Sequence, residues 1–197
     1  HIHCLCLLLS PSFHYLILPM KLTTQTQNGK LVYFNPCSDH LSVSENAHFR
    51  WLNFGEVTQS LMLRRWPWQL TLPHHSALLL PLLHFPVHSV TELGLGGGNL
   101  ARFLLKLKPN LEFTSIECNQ TSIECFRHYF NPDAIEFNLI NDSAGNWLAA
   151  NTRPIPWLIY DIFKRTDANN ISPLVQVLKL IMDIRAPQCI SINIPQS

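Results

Sequence analysis

Charge is scarce in this sequence. Asp, Glu, Lys and Arg make up 14% of its 197 residues and leave a net charge of +1 with His neutral. That balance excludes the basic footprint of a nucleic-acid binder. The hydrophobic share, 47%, excludes disorder and is enough for a sizeable core. None of the six cysteines (Cys4, Cys6, Cys37, Cys118, Cys125, Cys189) forms a C-x-x-C pair, so nothing supports a zinc site and no metal is expected. Scattered thiols of this kind, with Cys118 and Cys125 flanking an expected helix and read as buried, fit a reduced, cytoplasmic setting. A long apolar run is also lacking. Residues 1–19 are apolar, but Ser10, Pro11 and Ser12 break them below the roughly 18–20 residues of a membrane span. They lack the basic start of a secretory signal, and the first methionine is Met20. Residues 1–19 are therefore read as an unstructured or non-native extension, with no membrane partner.

Glycine is scarce as well, which makes its distribution informative. Of seven glycines, Gly94, Gly96, Gly97 and Gly98 fall within five positions. They sit inside the stretch that organises the chain, Ser89 to Glu117. An apolar run from Val90 to Leu95 leads into the glycines. Leu100, Phe103, Leu104 and Leu107 then recur at helical spacing, and a second apolar run, Phe113 to Ile116, ends at Glu117. Strand, glycine turn, helix, strand, acid is the order of a nucleoside-binding half of a doubly wound α/β fold. Glu117 follows Gly94 by 23 residues, near the roughly 20 expected of an acid that binds ribose hydroxyls. A dinucleotide fingerprint would need glycine where Asn99 stands. The frame Glu92-x-Gly94-x-Gly96-x-Gly98 fits better and resembles the first motif of S-adenosylmethionine-dependent transferases. The alternative is a plain tight turn.

Around this stretch the pattern predicts two units. Strands over 30–34, 41–44, 49–54 and 57–63 make a small antiparallel β unit spanning 30–72. A helix from Pro73 to Leu83, shortened or kinked by Pro81, opens a Rossmann-like unit over 73–197. Helices are expected over 120–130, 144–150 and 173–184. Further strands are expected over 135–140, 156–162 and 189–194, giving a five-stranded parallel sheet truncated after its fifth strand. Ligands in such sheets bind beyond the carboxyl ends of the strands. Those ends carry Gly94 to Gly98, Glu117, Asp142 and Asp161. Glu117 is assigned the ribose, Asp142 the exocyclic amine of adenine, and Asp161 the reacting centre. Asp142 alternatively caps the next helix. His74 and His75 are read mainly as surface or first-turn histidines. Adjacent residues on a helix face different ways, which argues against a shared metal. Trp66 and Trp68 are read as packing between the two units.

The segments GEVTQSLM, LPHH, LLHFP, ELGLGGGNLARFL, IECNQ, YFNP and IYDIF together resemble the spermidine synthase family, the polyamine aminopropyltransferases, over roughly residues 30–194. The glycine motif is common to S-adenosylmethionine transferases; Gly55-Glu56 and Gln59-Ser60 narrow the resemblance. It implies a class I S-adenosylmethionine methyltransferase fold. It also implies aminopropyl transfer from decarboxylated S-adenosylmethionine to putrescine, with S-adenosylmethionine or its decarboxylated form as co-substrate. Gln59, Gly94, Gly96, Gly98, Glu117 and Asp142 would hold the nucleoside. Asp161 would take the proton of the attacking amine. A small-molecule substrate of polyamine type, and a homodimer, accompany that reading. Departures weaken the amine side: Lys164 stands where the family has a second loop acid, and His75 where it has another. Two further strands of the family are also missing. Weak putrescine binding is expected. A small-molecule methyltransferase and an inactive or truncated nucleoside-binding relative are the alternatives.

Overall fold

The computed structural model describes residues 25–162, 175, 177–181 and 187–193. The expectations for residues 1–19 and Lys164 lie outside these. Four strands form the first sheet: β1 (Lys30–Asn35), β2 (Leu41–Glu45), β3 (Phe49–Phe54) and β4 (Val57–Leu63). They pair in chain order and antiparallel. Alternation sends Leu41, Val43, Leu52 and Met62 to one face, where they share a core with Leu95, Ile123, Phe126 and Phe130. Phe49, Trp51 and Leu61 go to the other face and pack with Leu72. The small sheet therefore has no core of its own on its inner face. It is completed by the α/β layer and lies beside the glycine turn.

The second sheet holds β5 (Ser89–Leu93), β6 (Glu112–Glu117), β7 (Asn138–Asn141), β8 (Trp157–Tyr160) and β9 (Cys189–Ile192). All its pairings are parallel, in the order β7-β6-β5-β8-β9. This is the Rossmann-like arrangement expected from the strand–helix alternation. The order reverses at β5, so its switch point lies between β5 and β8, where ligands bind in such folds. The central strands are buried on both faces, as runs without alternation require. Trp157, Leu158 and Ile159 are almost wholly inaccessible.

The helices α1 (Pro73–Leu78), α2 (Asn99–Leu107), α3 (Gln120–Cys125) and α4 (Ala144–Ala150) follow the expected positions with three local differences. Pro81 ends the first one early: after α1 the chain tightens into a 3₁₀ turn over Leu80–Leu83. The helix expected over 120–130 loosens into a π-helical turn, Phe126–Phe130. Two arginines use the carbonyls at its end. Arg50 Nη1 donates to Tyr129 O, and Arg102 Nη1 donates to Phe130 O at 2.9 Å. The turn also buries Phe126 and Phe130 beneath the glycines, each burial contributing about 1.5–3 kcal/mol. The third difference is β7, which starts at Asn138 rather than 135. Asn131 exchanges two hydrogen bonds with the backbone of Ile135, and Ala134 takes a positive φ of 49°, so the chain is still turning at 135. Of the helix expected over 173–184, residues 175 and 177–181 are described and helical, with Val177 and Ile181 buried against β8 and β9 side chains.

Candidate active site

The glycine turn is shaped by what presses on it. Gly94, Gly96 and Gly98 all have positive φ, at 98°, 52° and 68°, a region that residues with a Cβ enter only at a cost. Gly94 brings β5 and β8 together, and a Cβ there would stand 2.5 Å from Asp161 O. A Cβ on Gly98 would stand 2.4 Å from the Phe126 ring. Gly97 meets Ser60 of β4: its N–H donates to Ser60 Oγ at 2.9 Å. The first strand of the α/β layer is thus fastened to the small sheet at the turn itself.

A cavity of about 1040 Å³ opens over this turn. Of the residues proposed from sequence, Gln59, Gly94, Gly96, Glu117, Asp142 and Asp161 line it. Gly98 does not; it lies beneath the wall, caps the start of α2 and seats Phe126. A side chain there would collide with the Phe126 ring, so the glycine serves the packing of helix against turn.

Glu117 ends β6 and is anchored from both sides. Leu95 N–H donates to Oε2 at 3.1 Å, and Asn119 N–H donates to Oε1 at 2.8 Å. These contacts hold the carboxylate beside the glycine turn. Asp142 follows β7, and its Oδ1 accepts from Ser143 N–H at 2.7 Å. The cap of α4 is Ser143, whose side chain accepts from Asn146 N–H. Asp142 is therefore not the N-cap, and it lines the cavity. Cys125 is buried but Cys118 is exposed and on the cavity wall; it follows the last residue of β6 rather than packing under a helix.

Asp161 ends β8. Its backbone N–H donates to Leu93 O at 2.9 Å, which aligns it with the end of β5. Its Oδ1 accepts from Asn193 Nδ2 at 2.8 Å, and its Oδ2 lies 3.4 Å from His75 Nε2. Burial by itself would raise the carboxyl's pKa. The His75 and Asn193 hydrogen bonds and the two nearby imidazoles outweigh it, and the group is held below its ordinary value. Beside it Glu92 is 1% exposed and accepts a hydrogen bond from Ser115 Oγ at 2.7 Å. Burial, with the charges of Asp161 and Glu117, pushes Glu92 well above the usual carboxylate range. His74 is pulled down to about 4 by burial and by His75, and is neutral. This end of the cavity therefore sets Asp161, whose proton is held weakly, beside Glu92, whose proton is held tightly, and the neutral imidazole of His74.

The two histidines are closer to the chemistry than their sequence positions imply. Their ring centroids are 4.2 Å apart, and a nitrogen of each lies within 4.8 Å of the other and of an Asp161 oxygen. Both belong to the first turn of α1, where no preceding turn restricts their rotamers, so adjacent residues converge after all. Asn193 was also not anticipated. The rule that finds Asp161, reading the residue just beyond each strand, finds Asn193 when extended to β9.

No protein-family model matches the chain, and no curated protein matches it. Among solved structures it is similar to a probable spermidine synthase from Corynebacterium glutamicum ATCC 13032, at 17% identity and TM-score 0.54, covering 69% of this chain and 51% of that one. It is also similar to a spermidine synthase from Thermotoga maritima, at 16% identity and TM-score 0.60, covering 79% and 54%. A spermidine synthase in complex with the transition state analogue AdoDATO matches at 14% identity and TM-score 0.60, covering 79% and 55%. The chain spans about half the length of these proteins. At such identities the likeness establishes a shared fold over the matched part and nothing more.

Proposed function

We propose that this chain binds decarboxylated S-adenosylmethionine, or S-adenosylmethionine itself, and that the transfer it is built for is that of an aminopropyl group to an amine. The observation that carries the reading is that Glu117, Asp142 and Asp161, from three different strand ends, face one cavity that also contains the glycine turn. The cavity is of nucleoside-ligand size. Glu117 would bond the ribose hydroxyls and Asp142 the adenine amine, and Gln59 lines the same cavity.

The donor supplies a carbon attached to a sulfonium, whose leaving group needs no acid. The amine nitrogen attacks that carbon with its lone pair. The carbon–sulfur bond breaks, its electrons go to sulfur, and the nitrogen loses one proton. Asp161 is the acceptor for that proton, and its charge attracts the amine before it reacts. Most of the acceleration comes from holding nitrogen and carbon in line. Glu92 is a poor second partner for a cation, because burial disfavours its charged form. One ionised carboxylate does not satisfy both ends of a diamine, so putrescine is a poor acceptor.

The test is calorimetric titration with S-adenosylmethionine, its decarboxylated form and methylthioadenosine, followed by transfer assays with mono- and diamines. Saturable binding that is lost in Asp142→Ala, with transfer lost in Asp161→Asn, supports the reading. Binding of none of the three nucleosides refutes it. Methyl transfer from S-adenosylmethionine without aminopropyl transfer would assign the chain to the methyltransferases of the same fold class.

A further inference from the structure

Behind Asp161 runs a buried chain of polar groups with one consistent direction. Arg102, 3% exposed, donates from Nη2 to Asn99 Oδ1 at 2.5 Å. Ser60 Oγ lies 3.5 Å from the same oxygen. These contacts orient the Asn99 amide, since its oxygen faces the guanidinium and its NH₂ must point the other way. Asn99 Nδ2 donates to Leu61 O at 3.1 Å and lies 3.5 Å from His75 Nδ1. A nitrogen that faces an amide NH₂ serves as an acceptor, so His75 Nδ1 carries no hydrogen. The hydrogen that the ring carries is then on Nε2, the atom that faces Asp161 Oδ2 at 3.4 Å. His75 is itself only 3% exposed.

We propose that His75 is a positioning residue for Asp161: the Arg102–Asn99 pair fixes its Nε2–H tautomer, and that hydrogen holds the carboxylate in the orientation that receives the nucleophile's proton. The proposal rests on the proton-accepting role given to Asp161 above. His75 is not itself the base, because its only lone pair is directed at Asn99. Nor is the cluster of His74, His75 and Asp161 arranged as a metal site, although their donor atoms are close enough. A ligating Nε2 would have to lose its hydrogen to Nδ1, which would then confront the Asn99 amide hydrogens. Asn193 Nδ2 fills the other carboxylate oxygen, so each oxygen of Asp161 has its own nitrogen donor. Among the described residues, the other titratable groups on this side of the cavity are His74 on α1, Glu92 on β5 and Glu117 on β6. Contacts of 3.4–3.5 Å are loose, and catalytic hydrogen bonds commonly tighten when substrate binds.

The experiment uses the full chain labelled with ¹⁵N and with ¹³C at carboxyl groups. At neutral pH, long-range nitrogen–proton correlation should show His75 with a protonated Nε2 and a bare Nδ1. The Asp161 carboxyl titration should move upward by tenfold or more in proton affinity in His75→Phe, and return most of the way in His75→Gln, whose amide N–H reaches the same position. The tautomer is read on the unsubstituted chain and so does not depend on the Phe variant folding. A proton on Nδ1 would overturn the proposal. So would equal Asp161 midpoints in the two variants, or loss of the Nε2 proton on adding one equivalent of Zn²⁺, which would mark a metal site instead. If tautomer and titration come out as expected but no amine is alkylated, the pair stands and the proposed reaction fails.

Discussion

The α-carbon of Gly94 faces the carbonyl oxygen of Asp161, so closely that a Cβ would lie 2.5 Å from it. The glycine turn and the strand end that carries Asp161 are therefore one packed unit. Gly94→Ala should disturb both. Alanine at φ 98° costs about 1–3 kcal/mol from backbone strain, and the overlap with Asp161 adds to it. The unfolding midpoint should fall by roughly 2–4 °C for each kcal/mol, with nucleoside affinity falling in parallel. Gly145→Ala is the control. Gly145 lies within α4 with open space at its Cβ position, so alanine there should stabilise by about 0.5–1 kcal/mol. Equal midpoints for the two variants would remove Gly94 from this role.

Glu117→Ala should weaken binding of methylthioadenosine by about 1–3 kcal/mol, the scale of a lost charged hydrogen bond. Part of that loss is indirect, because Leu95 and Asn119 N–H lose their acceptor and the glycine turn loosens. Glu117→Gln retains an acceptor oxygen and should lie between the two. Titration calorimetry measures the series, and an unchanged dissociation constant in the alanine variant would take Glu117 out of the site.

Those two residues were legible without coordinates because local rules govern them. A glycine cluster after an apolar run marks a turn, and the acid after the next strand follows at a fixed remove. The strands were equally legible, since a period of two or an unbroken apolar run is a property of neighbours in the chain. What could not be read depends on contacts between distant segments. The π-helical turn at Phe126–Phe130 ends on Arg50 and Arg102, from β3 and α2. Glu92 reads as a motif acid, and only its burial between neighbouring strands shows that its proton is held more tightly than usual. The convergence of His75, Asn193 and Asp161 joins segments up to 118 residues apart, and no spacing encodes it. Gly98 was assigned to the ligand because its motif position is shared with Gly94 and Gly96, whereas Phe126 decides its role.

Ser60 gives the third prediction. It is buried and accepts from Gly97 N–H, the link between the small sheet and the glycine turn. Ser60→Ala leaves that N–H buried without an acceptor, at about 1–3 kcal/mol. Denaturant unfolding should show the loss. Ser60→Cys, which keeps a weak acceptor, should recover part of it. If the alanine variant matched the original chain in both stability and nucleoside affinity, the two sheets would not be coupled through this bond.

The last prediction follows from Glu92. Its pKa is raised in the folded chain by burial, chiefly, and by the charges of Asp161 and Glu117. The folded state therefore binds its proton more tightly than the unfolded state. The stabilisation from that proton is complete below the unfolded value of 4.5. It is lost as pH rises toward and through the folded value. Glu92→Gln keeps the shape, remains neutral at every pH and can still bond Ser115. The variant should gain stability relative to the original chain as pH rises above 4.5, with the two nearly equal in acid. His74 acts in the opposite sense. Its lowered pKa, about 4, makes stability rise between that value and the ordinary 6.5, but His74 is present in both proteins and largely cancels in the difference. Urea unfolding from pH 4 to 8 measures that difference directly. A gap that stays constant over this range would mean that Glu92 is ionised in the folded protein, and the acceptor end of the cavity would then hold two charges instead of one.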